Sequence, residues 1–215
     1  MAFVIDHVFV MCSPGAPEAV ALTAAGLKEG SSNTHPGQGT ASRRFFFGNA
    51  YLELAWVSDP GEARRGPAAR TGLWERWEKR NRDASPFGIV FGHTGSATPE
   101  PPFPTWSYHP PYSPVAIDVG EGMSLHEPAL FYFRFPRPPG ALRAQPTAHA
   151  LPLTRLTALT VAGPGSSPRS APLRAAEATG VVAFPSADEH LMTLAFGGQG
   201  QTRDLRPELP LVLAW

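Results

Sequence analysis

Two ionisable side chains interrupt apolar runs that predict neighbouring strands near the start of the chain. His7 lies within the run at residues 3–11, and Glu53 lies within the run at residues 50–57. An imidazole nitrogen and a carboxylate oxygen are good ligands for a divalent cation, and the same pair can act as general base and general acid. A core histidine that hydrogen-bonds Glu53 is the purely structural alternative.

Another group of side chains could bind a ligand without reacting with it. Arg43 and Arg44 are consecutive in a predicted strand, so their side chains face opposite sides, and one of them could clamp a carboxylate or a phosphate. Trp106, Tyr108 and Tyr112 could close over a flat ligand, although interior packing is the commoner use of such aromatic residues. The sequence leaves both uses open.

Two further features have simpler interpretations. The single cysteine, Cys12, ends an apolar run, which predicts a buried small hydrophobe in preference to a nucleophile. The Gly37-Gln38-Gly39-Thr40 turn could offer backbone NH groups to an anion, but an ordinary loop is the simpler interpretation. Because the chain has no GxGxxG after a strand, no cysteine pairs and no Ser-His-Asp or Cys-His spacing, it does not resemble a nicotinamide enzyme, a zinc finger or a hydrolase.

The hydrophobic pattern predicts the elements that would position these residues. A strand at 3–11 and a helix at 18–27 precede two strands at 43–47 and 50–57, which are joined by a turn at Gly48-Asn49. The next predicted elements are a surface helix at 62–82 with its charges in water and strands at 87–91, 115–119 and 129–135. A Pro-rich stretch with several aromatic residues separates the first two of these later strands.

The pattern restarts near residue 151, with a predicted helix at 170–179 and strands at 181–184 and 190–196. The pentapeptide LELAW, which contains Glu53, is echoed by LVLAW at the end of the chain. Duplication is the better explanation of this echo. We therefore expect a first module at 1–60, a second and shorter module at 151–215, and a helix, insertion and extra strands at 61–150, all in one compact unit.

Composition limits the classes of partner. Lys plus Arg and Asp plus Glu both number 18, so no net charge favours nucleic acid or an anionic membrane. No apolar run approaches the roughly 20 residues that a transmembrane helix needs, and the N-terminal run lacks a basic leader. A cytoplasmic protein with a small-molecule partner is the expectation.

Four stretches together resemble a bacterial glyoxalase-like family of the vicinal oxygen chelate superfamily: IDHVFV, HPGQGTASRRFFFGNAYLELAWV, SPFGIVF and DLRPELPLVLAW. This superfamily also includes bleomycin-resistance proteins and dioxygenases. The resemblance implies an α+β fold in which paired β-α-β-β-β modules form curled mixed sheets around a shared cavity. It also implies metal ligands in the first and last strands of each module, which are His7 and Glu53 in the first module, and it puts Arg44 beside the cavity.

The second module departs from this ligand pattern. Alignment of LTRLTALTV with AFVIDHVFV puts Thr157 near the place of His7, and the pentapeptide echo puts Val212 at the place of Glu53. Two protein ligands are fewer than the three that a catalytic zinc usually has. By chemistry alone, the candidates for a third ligand are His126, Glu127 and His190. The sequence therefore favours the absence of a zinc, manganese, iron or nickel ion over its presence.

Three functions remain open at this point. The first is a lyase, isomerase or dioxygenase acting on a small oxygen-rich molecule, with His7 and Glu53 as catalytic residues and Arg44, Trp106 and Tyr108 as ligand-binding residues. The second is a metal-free protein that sequesters an aromatic or cationic compound in the same cavity, which the missing ligands favour. The third is a structural or regulatory dimer with a closed cavity. The chain could be a monomer or a homodimer.

Overall fold

An eight-stranded mixed sheet and a four-stranded sheet make up the computed structural model, which describes residues 3–95, 98–135, 142, 144–165, 168–198 and 200–215. Its elements in chain order are β1 (Phe3–Met11), α1 (Ala19–Ala24), β2 (Asn33–His35), β3 (Thr40–Phe46), β4 (Tyr51–Val57), α2 (Pro60–Ala63), α3 (Gly66–Ala69), α4 (Leu73–Lys79), β5 (Phe87–His93), β6 (Thr105–Tyr108), β7 (Ile117–Gly120), β8 (Ala129–Tyr132), β9 (Ala158–Ala162), α5 (Ala171–Ala178), β10 (Leu191–Ala195), β11 (Thr202–Asp204) and β12 (Leu211–Ala214). Within these described ranges, no helix is long and apolar enough to cross a membrane.

The eight-stranded sheet consists of two units with one strand order. The first unit has the order β2-β3-β4-β1, the second unit repeats it as β6-β7-β8-β5, and β1 pairs antiparallel with β5 at the centre. In each unit the first strand runs parallel to the last, β1 beside β4 and β5 beside β8. The sheet curls into a half-barrel, which confirms the predicted α+β fold with curled mixed sheets.

The strands that complete the half-barrel come from the middle of the chain. Residues 87–132 form the second unit, although the sequence suggested that the partner module begins at residue 151. Residues 151–215 instead contribute α5 and the separate four-stranded sheet, in the order β11-β12-β10-β9. The second unit carries no pentapeptide echo, and no helix lies between β5 and β6 in the described part of that connection. The second unit therefore resembles the first in strand order but not in sequence.

The pentapeptides LELAW and LVLAW nevertheless occupy equivalent places in the two sheets. β4 lies parallel beside β1, and β12 lies parallel beside β10, in corresponding registers. Val212 is thus the counterpart of Glu53, as the echo predicts, whereas Leu191 and not Thr157 is the counterpart of His7. Neither Leu191 nor Val212 has a side-chain atom that binds a metal.

One face of the half-barrel packs against the four-stranded sheet and α5. In β1, Val8 and Val10 belong to this core, while Phe9 and Met11 face the concave side. The same alternation runs through β4, β5 and β8, because successive residues of a strand point to opposite faces. The small sheet therefore covers the convex face, and the concave face is left to form a cavity.

The predicted surface helix at 62–82 is three short helices, α2 to α4, and one of its charges is buried. Arg76 is only 4% exposed. Its Nη1 donates to the carbonyl oxygens of Ser85 (2.6 Å), Leu125 (3.2 Å) and Glu127 (2.8 Å). Burial lowers the pKa of Arg76 to about 10, so the group remains charged at neutral pH. The expectation that this helix turns its charges to water is wrong at Arg76, which ties α4 to the loops before β5 and β8.

Candidate functional site

The concave face of the half-barrel holds a cavity of about 310 Å³. This volume is at the small end of the range for ligand pockets, roughly 300–1,000 Å³. Most of its wall is aromatic or aliphatic, with side chains such as Phe9, Tyr51, Tyr108, Phe131 and Phe133. Polar side chains, among them His7, His35 and Glu53, interrupt this wall and constrain what can bind.

Glu53 enters the cavity from β4. Tyr51 and Ala55 line the cavity on the same face of the strand, whereas Leu52 and Leu54 belong to the core behind it. This is the arrangement that the two-residue period of a strand indicates. The glutamate is 6% exposed, so its carboxylate lies within the protein and is reached through the cavity.

The carboxylate of Glu53 has no hydrogen bond or ion pair with any residue that the structure describes. Its oxygen atoms are not sealed from the cavity. An ionised carboxylate that is buried without a partner costs several kcal/mol relative to water. A bound molecule that donates a hydrogen bond or brings a positive charge would offset this cost.

A β-bulge at Asp6 determines which way His7 points. The register between β1 and β5 shifts between Ile5 and His7. Ile5 belongs to the core on the convex side, whereas His7 and Phe9 line the cavity. One extra residue reverses the alternation of a strand, so the bulge transfers the odd-numbered residues from one face to the other. Without it, His7 would point into the core.

The same bulge brings the carboxylate of Asp6 to the imidazole of His7. Asp6 Oδ1 lies 2.7 Å from His7 Nδ1, and the ring stacks on Tyr51 with 4.3 Å between ring centroids. Because a carboxylate only accepts, Nδ1 carries a proton, and Nε2 is an acceptor whenever the ring holds no second proton. No residue in the described ranges hydrogen-bonds Nε2. His7 and Glu53, both within the described ranges, also make no hydrogen bond with each other, so the purely structural alternative does not hold.

A second histidine, His35, lines the cavity from β2 within a hydrogen-bonded network. Asn33 Nδ2 donates to His35 Nε2 (2.9 Å), so the proton of His35 is on Nδ1, which donates to Thr40 Oγ1 (2.9 Å). The side-chain amide of Gln38 also donates to Thr40 (2.8 Å), and the hydroxyl of Tyr112 donates to Gln38 (3.2 Å). Burial lowers the pKa of His35, which keeps this ring neutral.

Sequence reasoning missed Asp6 and His35 for different reasons. His35 opens the stretch HPGQGT, in which the sequence pattern indicated only the turn at residues 37–40. A polar side chain beside this turn was a usable sign of a site. Asp6 had no such signal, because strand alternation places neighbouring residues on opposite faces. The glycine turn itself packs against α2: Gly37 N donates to Glu62 Oε2 at 2.6 Å, so this NH group is used within the protein.

The residues in the cavity do not fit a three-ligand metal site. No group of three His, Cys, Asp or Glu side chains in the described ranges could hold a metal ion. Both ring nitrogens of His35 are hydrogen-bonded, which leaves only His7 and Glu53. The candidates for a third ligand, His126, Glu127 and His190, line a different and smaller pocket. Since catalytic zinc usually takes three protein ligands, the two that remain are too few for such a site.

Two predicted ligand-binding residues lie outside the cavity wall, and one lies within it. Arg44 is opposite Glu53 in the β3–β4 pairing, but its guanidinium donates to Ser31 O and Oγ, both at 2.8 Å. Trp106 packs its ring against the guanidinium of Arg70, at 4.2 Å. Tyr108 lines the cavity, and burial raises the pKa of its hydroxyl to about 12.

Cys12 is buried at the end of β1, as the sequence predicts. Its thiol donates to the carbonyl oxygen of Val10 at 3.4 Å. Burial raises the pKa of Cys12 well above its usual value, so the group stays protonated at neutral pH and is a poor nucleophile.

Comparisons with known proteins identify the first half of the chain. The profile of a glyoxalase-like domain matches residues 5–117, a span that contains both strands of the His7 and Glu53 pair. A crystal structure of a hypothetical protein from Staphylococcus aureus superposes with a TM-score of 0.56 and 8% sequence identity, over 99% of this chain and 98% of that one. At this identity the likeness concerns the fold alone. No curated protein gives a significant match.

Proposed function

We propose that this chain, which belongs to the glyoxalase-like domain family, binds a small organic cation with an aromatic or apolar body. The ligand would lie in the cavity of the half-barrel, without a metal. One observation carries the proposal: the buried Glu53 carboxylate has no partner among the described residues and opens into a largely aromatic cavity. An oxygen-rich anion would meet this negative charge, and Arg44, the expected anion anchor, is engaged elsewhere.

The chemistry of the wall suits such a ligand. A protonated amine can form a charge-assisted hydrogen bond with Glu53, worth about 1.5–3 kcal/mol. The face of Tyr51 or Tyr108 can add a cation–π contact of roughly 0.5–2 kcal/mol. The apolar body of the ligand would bury its surface against Phe131 and Phe133, at about 25 cal/mol per Å². The amine is thus oriented by a single group, and the body is held by surface burial.

Calorimetric titration with three probes of similar shape tests the proposal: benzylamine, benzyl alcohol and benzoate. We expect the wild-type protein to prefer benzylamine, and Glu53→Gln to weaken benzylamine by about tenfold or more, since a lost charge-assisted bond exceeds 1.4 kcal/mol. Glu208→Gln, which changes an exposed carboxylate, is the matched control and should bind as the wild type does. Equal affinities in Glu53→Gln and wild type, or a preference for benzoate, would rule the proposal out.

The Asp6–His7 pair favours a second function, in which the protein also moves a proton on the bound molecule. His7 Nε2 can take a proton from the ligand, and Asp6 can stabilise the imidazolium that forms. This proton transfer is the first step of an isomerase, in which His7 would return the proton to a neighbouring atom, whereas a dioxygenase would need a redox metal that the described ligand set does not fit. Phenacylamine in D2O, followed by NMR, tests it: exchange at the carbon beside the ammonium should be faster with wild type than with His7→Phe. Equal rates would exclude the enzyme.

A further inference from the structure

The nitrogen donors in the cavity wall already take part in hydrogen bonds within the protein. The side-chain amides of Asn33 and Gln38 donate to His35 and Thr40, and His35 donates to Thr40 as well. The hydroxyl of Tyr112 donates to Gln38. These groups are held in place by one another, so they are oriented toward the network first and toward a ligand second.

The open polar groups, in contrast, are acceptors. The carboxylate of Glu53 and Nε2 of His7 have no hydrogen-bond partner in the part of the chain that the structure describes, and both belong to cavity-lining side chains. Asp6 holds the proton of His7 on Nδ1, so Nε2 cannot donate in the neutral ring. The hydroxyl of Tyr108 is enclosed by protein and does not count among the open groups.

The two acceptors lie close enough to be met by one chemical group. His7 pairs with Tyr51 across the parallel β1–β4 ladder, and Glu53 lies two residues further along β4. With a strand spacing of about 4.8 Å and a rise of about 3.3 Å per residue, their Cα atoms are roughly 8 Å apart. Both side chains line the same cavity, so one bound molecule can contact both of them.

From this inventory, and resting on the proposed function, we infer that the ligand presents two neighbouring hydrogen-bond donors on a cationic group, one to Glu53 and one to Nε2 of His7. A planar amidinium or guanidinium has this form, whereas a simple amine concentrates its donors on one atom. Asp6 is then a positioning residue, because it decides whether His7 accepts or donates. The substrate class is an aromatic or apolar amidine or guanidine.

Benzamidine and benzylamine, titrated in the presence of a chelator, test the inference. Wild type should bind benzamidine roughly tenfold more tightly, because only the amidinium reaches the second acceptor. His7→Phe keeps a ring against Tyr51 but removes the acceptor, so the ratio of the two affinities should fall to about one. His109→Phe, at an exposed histidine, should leave the ratio unchanged.

Asp6→Asn separates positioning from simple packing. The asparagine amide can donate to Nδ1, which moves the proton to Nε2 and turns an acceptor into a donor. The preference for benzamidine should then be lost, and the nitrogen chemical shifts of His7 in labelled protein should report the exchanged tautomer. Unchanged shifts together with an unchanged ratio would overturn the role of Asp6.

The outcomes separate this inference from the proposed function. If neither cation binds, or if Glu53→Gln affects neither, the proposed function itself fails. If both bind through Glu53 but His7→Phe leaves their ratio as in wild type, only the two-donor inference fails. Tight binding of zinc chloride alone, lost in both His7→Phe and Glu53→Gln, would also overturn it, since the two acceptors would then be metal ligands.

Discussion

The first and second units of the half-barrel have the same strand order but bring different groups to the cavity. The first unit supplies Glu53, His7 and His35, whereas β5 and β8 of the second unit face the cavity with Val90 and Phe131. A repeated scaffold therefore does not imply repeated chemistry. A cavity whose charged and titratable groups lie on one side orients a ligand that has a polar end and an apolar body.

The division follows from the residues on one face of each central strand. On β5 and β8 the concave-face positions include Gly88, Val90, Ala129 and Phe131, and none of these has a polar side-chain atom. A metal site shared symmetrically between the two units would need ligands at such positions. This asymmetry is the reason that His7 and Glu53 have no counterparts in the second unit with which to share a metal.

The largest effect is expected when a charge is placed in the apolar wall. Phe131→Asp removes a buried ring and adds a carboxylate without a partner, so the free energy of unfolding should fall by about 4 kcal/mol or more. Urea denaturation measures this loss. Phe135→Asp, at a cavity-lining residue that is 59% exposed, is the control and should change stability by only about 0.5 kcal/mol. Similar losses in the two variants would contradict the interpretation that Phe131 belongs to a buried apolar wall of the cavity.

A smaller loss is expected when the hydrogen bonds between α4 and the loops before β5 and β8 are removed. Arg76→Met keeps an apolar stem in α4 but leaves the carbonyl oxygens of Ser85, Leu125 and Glu127 without their cationic donor. The free energy of unfolding should fall by roughly 3 kcal/mol. Lys79→Ala, an exposed position in the same helix, provides the comparison and should be nearly neutral. A neutral Arg76→Met would show that these carbonyl groups find other partners.

The smallest effect concerns the seam where the two units meet. A Cβ atom at Gly88 would lie 1.9 Å from Phe9 Cζ, so Gly88→Ala must displace this ring from its place in the cavity wall. We expect a loss of about 1–3 kcal/mol in thermal or urea unfolding. Gly92→Ala, in the same strand, would meet its nearest atom at 3.5 Å and should be neutral or slightly stabilising. The interpretation fails if Gly88→Ala is as stable as Gly92→Ala.

Local pattern was sufficient to predict the first unit but not its partner. The strands at 3–11 and 50–57, and the face of β4 that carries Glu53, follow from hydrophobic periodicity. The second unit could not be recognised in this way, because residues 87–132 share topology with the first unit but no sequence echo. The echo that does exist belongs to the covering sheet at 151–215.

The site was predictable where a residue acts alone and unpredictable where it depends on a distant contact. The position of Glu53 in the cavity could be predicted from the two-residue period of its own strand. The burial of Arg76 depends on carbonyl groups far along the chain, at Leu125 and Glu127, and Arg44 turned to the loop at Ser31. The bulge at Asp6 is a property of the pairing of two strands, so the sequence of one strand did not reveal it.

That bulge also makes β1 tolerant of one particular change of length. Deleting Asp6 would remove the extra residue, so Ile5 and His7 would become consecutive, keep their opposite faces and pair with Phe91 and Val90 in a regular ladder. A deletion within residues 8–10 would instead bring two residues of the same face next to each other, so one side of the strand would have to exchange its inward and outward faces. A single-codon deletion at Asp6 should therefore preserve the fold better than a deletion within residues 8–10, although it removes the carboxylate that contacts His7.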